Sequence, residues 1–230
     1  VVGMLDLNHL TREKAFSESD VRLLETIAAS MSVALENARL FDETQRLLKE
    51  TEQRNAELAV INSVQQGIAG SLDYQGIVEL VGEKLRAVFG SGDLGIHAWD
   101  GVGQEIVTLY AVEHGARLPV TRRNVEPGTY LHRTIVEPGV IVLNSIEEQI
   151  REGVPVQEGT DRARSIVGAP MFAGERLLGY LVVENHQRDN AFGEADVRLL
   201  TTVASSMALA LENARLFEET QRNARESTAL

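Results

Sequence analysis

Few residues in this sequence have the types and the spacing that catalysis or metal binding requires. The five histidines are His9, His97, His114, His132 and His186. They form no HxH or i, i+4 pair, so the sequence predicts no metal site. Haem held by one of these histidines stays open as an alternative. We find no nucleophile–base pair either, and the sequence therefore predicts that the chain is not an enzyme.

Cysteine is absent from the chain. Its absence excludes disulfides, thiolate nucleophiles, iron–sulfur clusters and thioether-linked pigments. The segment GSGDLG at 90–95 matches a dinucleotide-binding pattern, but it is predicted to follow a helix and to enter a strand. Since a dinucleotide site needs the order strand, turn, helix, this segment is interpreted as a plain turn.

The overall composition limits the kinds of partner that the chain is expected to bind. The formal net charge of −12 argues against nucleic acid and against an anionic membrane surface as partners. No apolar run is long enough to span a bilayer, and a cytoplasmic location is expected. The opening residues VVGMLDL resemble the middle of a longer protein.

The chain contains a long internal repeat. ALENARLF occurs at 34–41 and again at 210–217, an offset of 176 positions. At that offset, roughly 27 of about 44 positions are identical between 3–46 and 179–222. Each copy reads as a short strand, a polar loop, an acidic first turn and a long helix with an apolar stripe. The simplest interpretation of each stripe is a helix that packs on a core.

The elements between the copies follow from periodicity and turn signals. Helices are predicted at 20–66, 73–89, 127–139, 145–153 and 196–225. Strands are predicted at 4–7, 93–99, 105–112, 118–125, 140–143, 164–172 and 176–184. Two strands are apolar on both faces, which predicts a sheet covered on both sides. Pro170 predicts a bulge or an edge within its strand.

This plan resembles the GAF domain, a small-molecule sensor module of bacterial signalling proteins. The residues that carry the resemblance are 164–217, from RSIVGAPMF to ENARLF, together with the opening helix SLDYQGIVELVGEKLRAVF. The predicted fold is α+β, GAF-like or PAS-like: a six-stranded antiparallel sheet with long helices on one face and short helices over a pocket on the other. The predicted domains are a truncated GAF tail at 1–47, a helical linker at 48–66, a complete GAF domain at 67–222 and a tail at 223–230.

The resemblance also implies a site, lined by strands 93–99 and 105–112 and by the segment 122–165. His97 and Trp99 share one strand face by alternation, and Tyr130 and His132 lie on the short helix. The predicted ligand-binding residues are His97, Trp99, Tyr110, Arg122, Tyr130, His132, Asn144, Arg164 and Ser165. These residue types suit a flat or anionic small molecule.

The resemblance limits the cofactor as well. A covalent bilin and the reduction of methionine sulfoxide both need cysteine in the family. Cyclic-nucleotide-binding members carry Asn-Lys, Phe and Asp-Glu, whereas this chain has His186 and Val197 at the Lys and Glu positions. Cyclic nucleotide is therefore not expected, and the cofactor stays unknown.

Two functions remain after these exclusions. The first is a sensory module that binds a small molecule and forms a parallel homodimer through a coiled coil at 20–66 and 196–225. The second is a dimerising spacer that relays a signal and binds no ligand.

Overall fold

The computed structural model describes residues 3–11, 15–69, 73–90, 93–157 and 159–228. The helices are α1 Glu18–Ala69, α2 Tyr74–Phe89, α3 Tyr130–Val136, α4 Ile146–Glu152 and α5 Glu194–Thr228. The strands are β1 Asp93–Asp100, β2 Glu105–Glu113, β3 Ala116–Arg117, β4 Arg122–Asn124, β5 Ile141–Leu143, β6 Ser165–Ala173 and β7 Arg176–Asn185. The chain divides into two compact units, Val1–Ala56 and Glu57–Leu230, and the division falls inside the predicted linker.

Local sequence signals start the helices where they were predicted. In the two copies of the repeat, Asp20 and Asp196 each accept a hydrogen bond from a backbone N–H three residues earlier, at 2.8 Å. The carboxylate of Asp73 likewise accepts from the N–H of Gly76 at the start of α2. These carboxylates satisfy N–H groups that have no partner within the helix. Gly90 ends α2 in the left-handed conformation and β1 begins at Asp93, so the ends of GSGDLG lie at a helix end and a strand start, while residues 91 and 92 lie outside the described residues.

The second unit contains an antiparallel sheet in the order β3-β2-β1-β7-β6-β5, with β4 also paired to β2. The predicted strand at 118–125 is shorter in the structure: only β4 falls within it, and β3 precedes it. Residues 118–121 lie between them without strand assignment, so the edge pairing with β2 is interrupted. Pro170 lies beyond the end of β5, whose pairing with β6 stops at Gly168. Its missing N–H therefore removes no bond to β5.

The long helices cover one face of this sheet. Leu200, Met207 and Leu211 of α5 are almost completely buried, together with Ile77 and Leu85 of α2. They pack on inward-facing residues of β1, β6 and β7. The other face carries a smaller apolar cluster built around Leu143, Ala163 and Ile166, with Tyr130 of α3 packed against it. The sheet is thus covered on both sides, as its strand pattern predicts.

The first unit contains α1 residues up to the division and the segment that precedes them. The predicted strand at 4–7 is wrong: residues 3–10 have no strand assignment, and Met4 is 89% exposed. A strand requires ladder hydrogen bonds to a neighbouring strand, and this segment makes none among the described residues. No helix in the described part of the chain is both long and apolar enough to cross a membrane.

Candidate functional site

A cavity of about 120 Å³ lies on the sheet face that carries α3. Strand alternation decides which side chains reach it. In β7, Leu181 and Val183 face the helical core, whereas Tyr180, Val182 and Glu184 line the cavity. The remaining lining residues are His97, Ala98, Trp99, Ile106, Arg123, Tyr130, Leu131, Thr134, Ile135, Ile141, Val154, Pro155, Ile166 and Gly179. Apolar walls with a few convergent polar groups are typical of small-molecule sites.

His97 lies in the wall as a neutral imidazole. Burial lowers its pKa to about 4, and the nearby charge of Arg123 acts in the same direction. Its Nδ1 lies 3.2 Å from the Oγ1 of Thr108, which itself accepts a hydrogen bond from Thr121. The hydroxyl hydrogen of Thr108 is then available to donate to Nδ1, which places the proton of the neutral ring on Nε2.

Arg123 is the cationic group of the cavity. Its side chain is half-buried, and its Nε is buried without a hydrogen-bond partner among the described residues. Burial lowers the pKa of its guanidinium, against the opposing influence of Glu184. No ion pair to Arg123 forms within the part of the chain that the structure describes. A guanidinium in this state offers unused donors to an anion.

Two tyrosines complete the aromatic wall with Trp99. Burial raises the pKa of Tyr130 to about 12 and also raises that of Tyr180. The hydroxyl of Tyr180 donates to the carbonyl of Thr134 in α3 at 2.9 Å and accepts from the N–H of Gly139 at 3.3 Å. This tyrosine therefore ties β7 to α3 and to the chain that follows α3.

Two further depressions adjoin the cavity. The first, of about 110 Å³, shares its Arg123 and His97 wall and extends toward Glu113 and Asp161. The second is an open groove of about 480 Å³ between α3, β5 and α4, and Asn144 lies in its wall. An open groove surrounds less of a ligand than an enclosed cavity does. The cavity beside α3 is therefore a better candidate than the groove.

The structure brings together three of the nine predicted site residues in this cavity, namely His97, Trp99 and Tyr130. Tyr110 was placed on the wrong face. It is buried among the core residues under α2, where its hydroxyl donates to Glu83 at 2.7 Å and Arg117 stacks on its ring. The pairing of β1 with β2 shifts by one residue between Ile96 and His97. This irregularity exchanges the two faces of β2, so Tyr110 faces away from the cavity.

The other predicted residues lie outside the cavity. Arg122 is exposed and pairs with Glu105, and His132 is half-buried in α3 without reaching the lining. Arg164 is exposed and pairs with Asp189 in the loop after β7. The hydroxyl of buried Ser165 donates to the carbonyl of Arg188 in the same loop. The polar groups of Arg164 and Ser165 are therefore bonded to the 186–193 loop and hold it against β6.

Sequence reasoning missed Arg123, Tyr180 and Glu184. Arg123 follows Arg122 directly, and only the pairing of β4 with β2 settles which of the two faces inward: Ile106 is opposite Arg123, and Val107 is opposite Arg122. The alternation of side chains along a strand puts Arg122 and Arg123 on opposite faces. It does not say which of them faces the cavity until the face of one residue is known. Tyr180 and Glu184 alternate with core residues of β7 in the same way.

Comparison with known proteins agrees with this architecture. A family model described as GAF domain matches residues 71–212. A search of curated proteins finds no match. Among solved structures, the chain is similar to the GAF domain of a phosphoenolpyruvate-protein phosphotransferase from Coxiella burnetii, with 15% identity and a TM-score of 0.59, over 71% of this chain and 96% of that one.

Two further structures show the same likeness. One is the GAF domain of a putative sensor histidine kinase from Pseudomonas syringae pv. tomato, with 19% identity, a TM-score of 0.53 and coverage of 76% of this chain and 98% of that one. The other is a free methionine-R-sulfoxide reductase from Neisseria meningitidis, with 19% identity, a TM-score of 0.57 and coverage of 70% and 90%. At these identities the structures show a shared fold, and the family model covers more than half of the sequence. The chain belongs to the GAF domain family.

Proposed function

We propose that this chain is a sensory or regulatory GAF module that binds a small, flat, anionic molecule in the cavity beside α3. One observation carries the proposal: Arg123 lies in an aromatic-walled cavity with no ion pair among the described residues and with its Nε unsatisfied. A buried polar group without a partner is costly, and a carboxylate would supply that partner.

The cavity sets the size of the ligand. Its volume of about 120 Å³ is near that of an apolar cavity of about 150 Å³ known to hold benzene. A single ring with one carboxylate matches this size and the planar walls of Trp99 and Tyr130. The neutral His97 adds a hydrogen-bonding group without adding charge.

The route from ligand to helices runs through β7. Tyr180 holds α3 on the ligand side, and the next residue, Leu181, is buried in the helical core on the other side. A ligand that repositions α3 would therefore bias the packing of β7 against α5. It would do so only by its difference in affinity for the two arrangements.

The proposed module acts as a parallel homodimer within a longer array of domains. The support is an exposed apolar row on α1 at a spacing of four residues, formed by Leu23, Ile27, Met31 and Leu35. Such an i, i+4 ridge is a surface that packs into the groove of a partner helix. Light scattering should give twice the mass of the chain at micromolar concentration, and a monomeric mass would contradict the dimer.

A ligand-free spacer that relays a signal between neighbouring domains is the second candidate. The cavity volume favours it, since metabolite sites usually enclose at least about 300 Å³. In this alternative the aromatic wall serves only to pack α3 on the sheet. Neither candidate includes a catalytic step.

Trp99 provides a direct test, because it is the only tryptophan of the chain and lines the cavity. Benzoate should change its fluorescence saturably, whereas neutral benzamide should bind at least about 10-fold more weakly, the effect of about 1.4 kcal/mol. Arg123→Gln should remove this preference. Arg122→Gln is the matched control, because the neighbouring arginine is exposed and should leave benzoate binding unchanged.

The outcomes separate the two candidates. Equal binding of benzoate and benzamide, or an equal response of both arginine variants, would refute an anion site at Arg123. Native mass spectrometry of the protein purified from cells would reveal a retained small molecule. Absence of any retained molecule together with no response to benzoate would favour the ligand-free spacer.

A further inference from the structure

Six ionisable side chains meet at one end of the central strands, and one of them, Glu184, also lines the cavity that holds Arg123 and Trp99. They are Asp93, Glu113, His114, Asp161, Glu184 and His186, and we call them the strand-end cluster. The sheet register assembles them: Asp93 is opposite Glu184 in the β1–β7 pair, and Glu113 ends β2 beside the start of β1. His114 and His186 then follow the ends of β2 and β7, and their ring centroids are 4.6 Å apart.

His186 is the unusual member of the cluster. Its side chain is only 9% exposed, and its buried Nε2 has no hydrogen-bond partner among the described residues. This nitrogen lies 3.7 Å from a carboxylate oxygen of Glu184, 3.8 Å from one of Glu113 and 3.9 Å from one of Asp93. All three separations are too long for hydrogen bonds. A buried imidazole nitrogen that faces three carboxylates without bonding to any of them requires an explanation.

Backbone groups hold two of these carboxylates in place. The N–H of His114 donates to Oδ1 of Asp93 at 2.7 Å, and the N–H of Asp161 donates to Oε1 of Glu113 at 2.7 Å. On the outer side, Nε2 of His114 lies 3.2 Å from Oδ2 of Asp161. Hydrogen bonds of this kind orient the ligands of metal sites.

We propose that Glu113, His114 and His186 bind a divalent transition-metal ion of the Zn²⁺ class, with Asp93 and Glu184 contributing oxygen atoms or negative charge beside it. One ligand atom from each of the first three lies within 4.8 Å of the others. Two ligands of a tetrahedral Zn²⁺ ion stand about 3.3–3.6 Å apart, so small side-chain movements suffice to enclose it. Imidazole with carboxylate is a donor set that suits Zn²⁺ better than Mg²⁺ or Ca²⁺.

The competing arrangement is a protonated His186. The attraction of Glu184, followed by that of Asp93 and Glu113, raises the pKa of His186. A positively charged ring would then balance the carboxylates without a metal. The two arrangements predict different results when metal is added. A metal site takes up a stoichiometric amount of Zn²⁺, whereas a protonated His186 does not.

The test uses the full chain, freed of metal with a chelator and then titrated with Zn²⁺ in a calorimeter. We expect one Zn²⁺ per chain with a dissociation constant of about 1 µM or tighter. His114→Asn should weaken Zn²⁺ binding at least about 10-fold, because mutation of residues that only orient a metal ligand already weakens metal binding by about that factor. Asparagine is chosen because His114 has a positive φ of 50°, which asparagine tolerates.

Further variants keep the test independent of folding. Glu113→Gln retains an oxygen acceptor for the N–H of Asp161 and should also weaken Zn²⁺ binding. His186→Ala should abolish it, and circular dichroism shows whether this variant folds. His9→Asn, in the first unit, is the control and should bind Zn²⁺ as the unchanged chain does. The proposal would be overturned in favour of a protonated His186 by either of two results. One is uptake of less than one Zn²⁺ ion per chain, and the other is a Zn²⁺ affinity of His114→Asn and Glu113→Gln equal to that of the control.

Discussion

The repeat provides a matched pair of leucines for testing the helical core. Leu211 and Leu35 occupy the same position in ALENARLF, yet Leu211 is 2% exposed and Leu35 is 52% exposed. Leu211→Ala removes three buried carbons, which is worth about 2.4 kcal/mol of transfer free energy before any cavity is counted. With a cavity term, we expect a loss of about 3–4 kcal/mol in the free energy of unfolding.

Urea denaturation followed by Trp99 fluorescence reports the unfolding of the second unit, which contains the only tryptophan. At a slope of about 2 kcal/mol/M, Leu211→Ala should lower the urea midpoint by about 1.5–2 M. Leu35→Ala should move the same midpoint by less than about 0.3 M, because Leu35 lies in the first unit and a substitution outside the second unit's core changes the stability of that unit by about 0.5 kcal/mol or less. Equal shifts for the two variants would refute the assignment of the α5 stripe to the core of the second unit.

Two further predictions concern the cavity wall. Because the pKa of His97 falls from 6.5 to about 4 on folding, the unfolded chain binds the proton more tightly, and stability should decline by up to about 3 kcal/mol as the pH falls from 6.5 toward 4. His97→Gln should flatten this part of the pH profile in urea titrations, and an identical profile would contradict a neutral buried ring. Tyr180→Phe leaves the carbonyl of Thr134 and the N–H of Gly139 without their partner and should cost about 1–2 kcal/mol. Thermal unfolding measures this loss, and an unchanged melting temperature would show that Tyr180 does not hold α3.

Much of the local structure was predictable because its causes are local. Caps, turn residues and periodicity place α2, α3, α4 and α5 within a few residues of their observed ends. The exceptions are the segment at 118–125, of which only β4 is a strand, and the segment at 4–7, whose apolar residues resemble a strand but form none. A strand exists only through its neighbours, so a local pattern is not sufficient.

The candidate site was predictable only in part, because it depends on strand parity and on distant contacts. His97, Trp99 and Tyr130 line the cavity, whereas Tyr110 faces the other side of the sheet. Arg122 carries the same charge as its neighbour but points away from the cavity. Shifting a strand by one residue exchanges its two faces, and sequence alternation does not say which face meets the pocket.

By itself, the sequence determined the helices, the repeat, the kinship to the GAF family and the absence of cysteine chemistry. Only the tertiary structure decided that Arg123 enters the cavity and that His114 and His186 meet across a separation of 72 residues. It also decided that Leu211 is buried while Leu35, at the matching position of the repeat, is exposed. The physical reason is the same in each case: helix caps and periodicity act between neighbours in the chain, whereas burial, charge pairing and ligand geometry depend on which distant segments fold against one another.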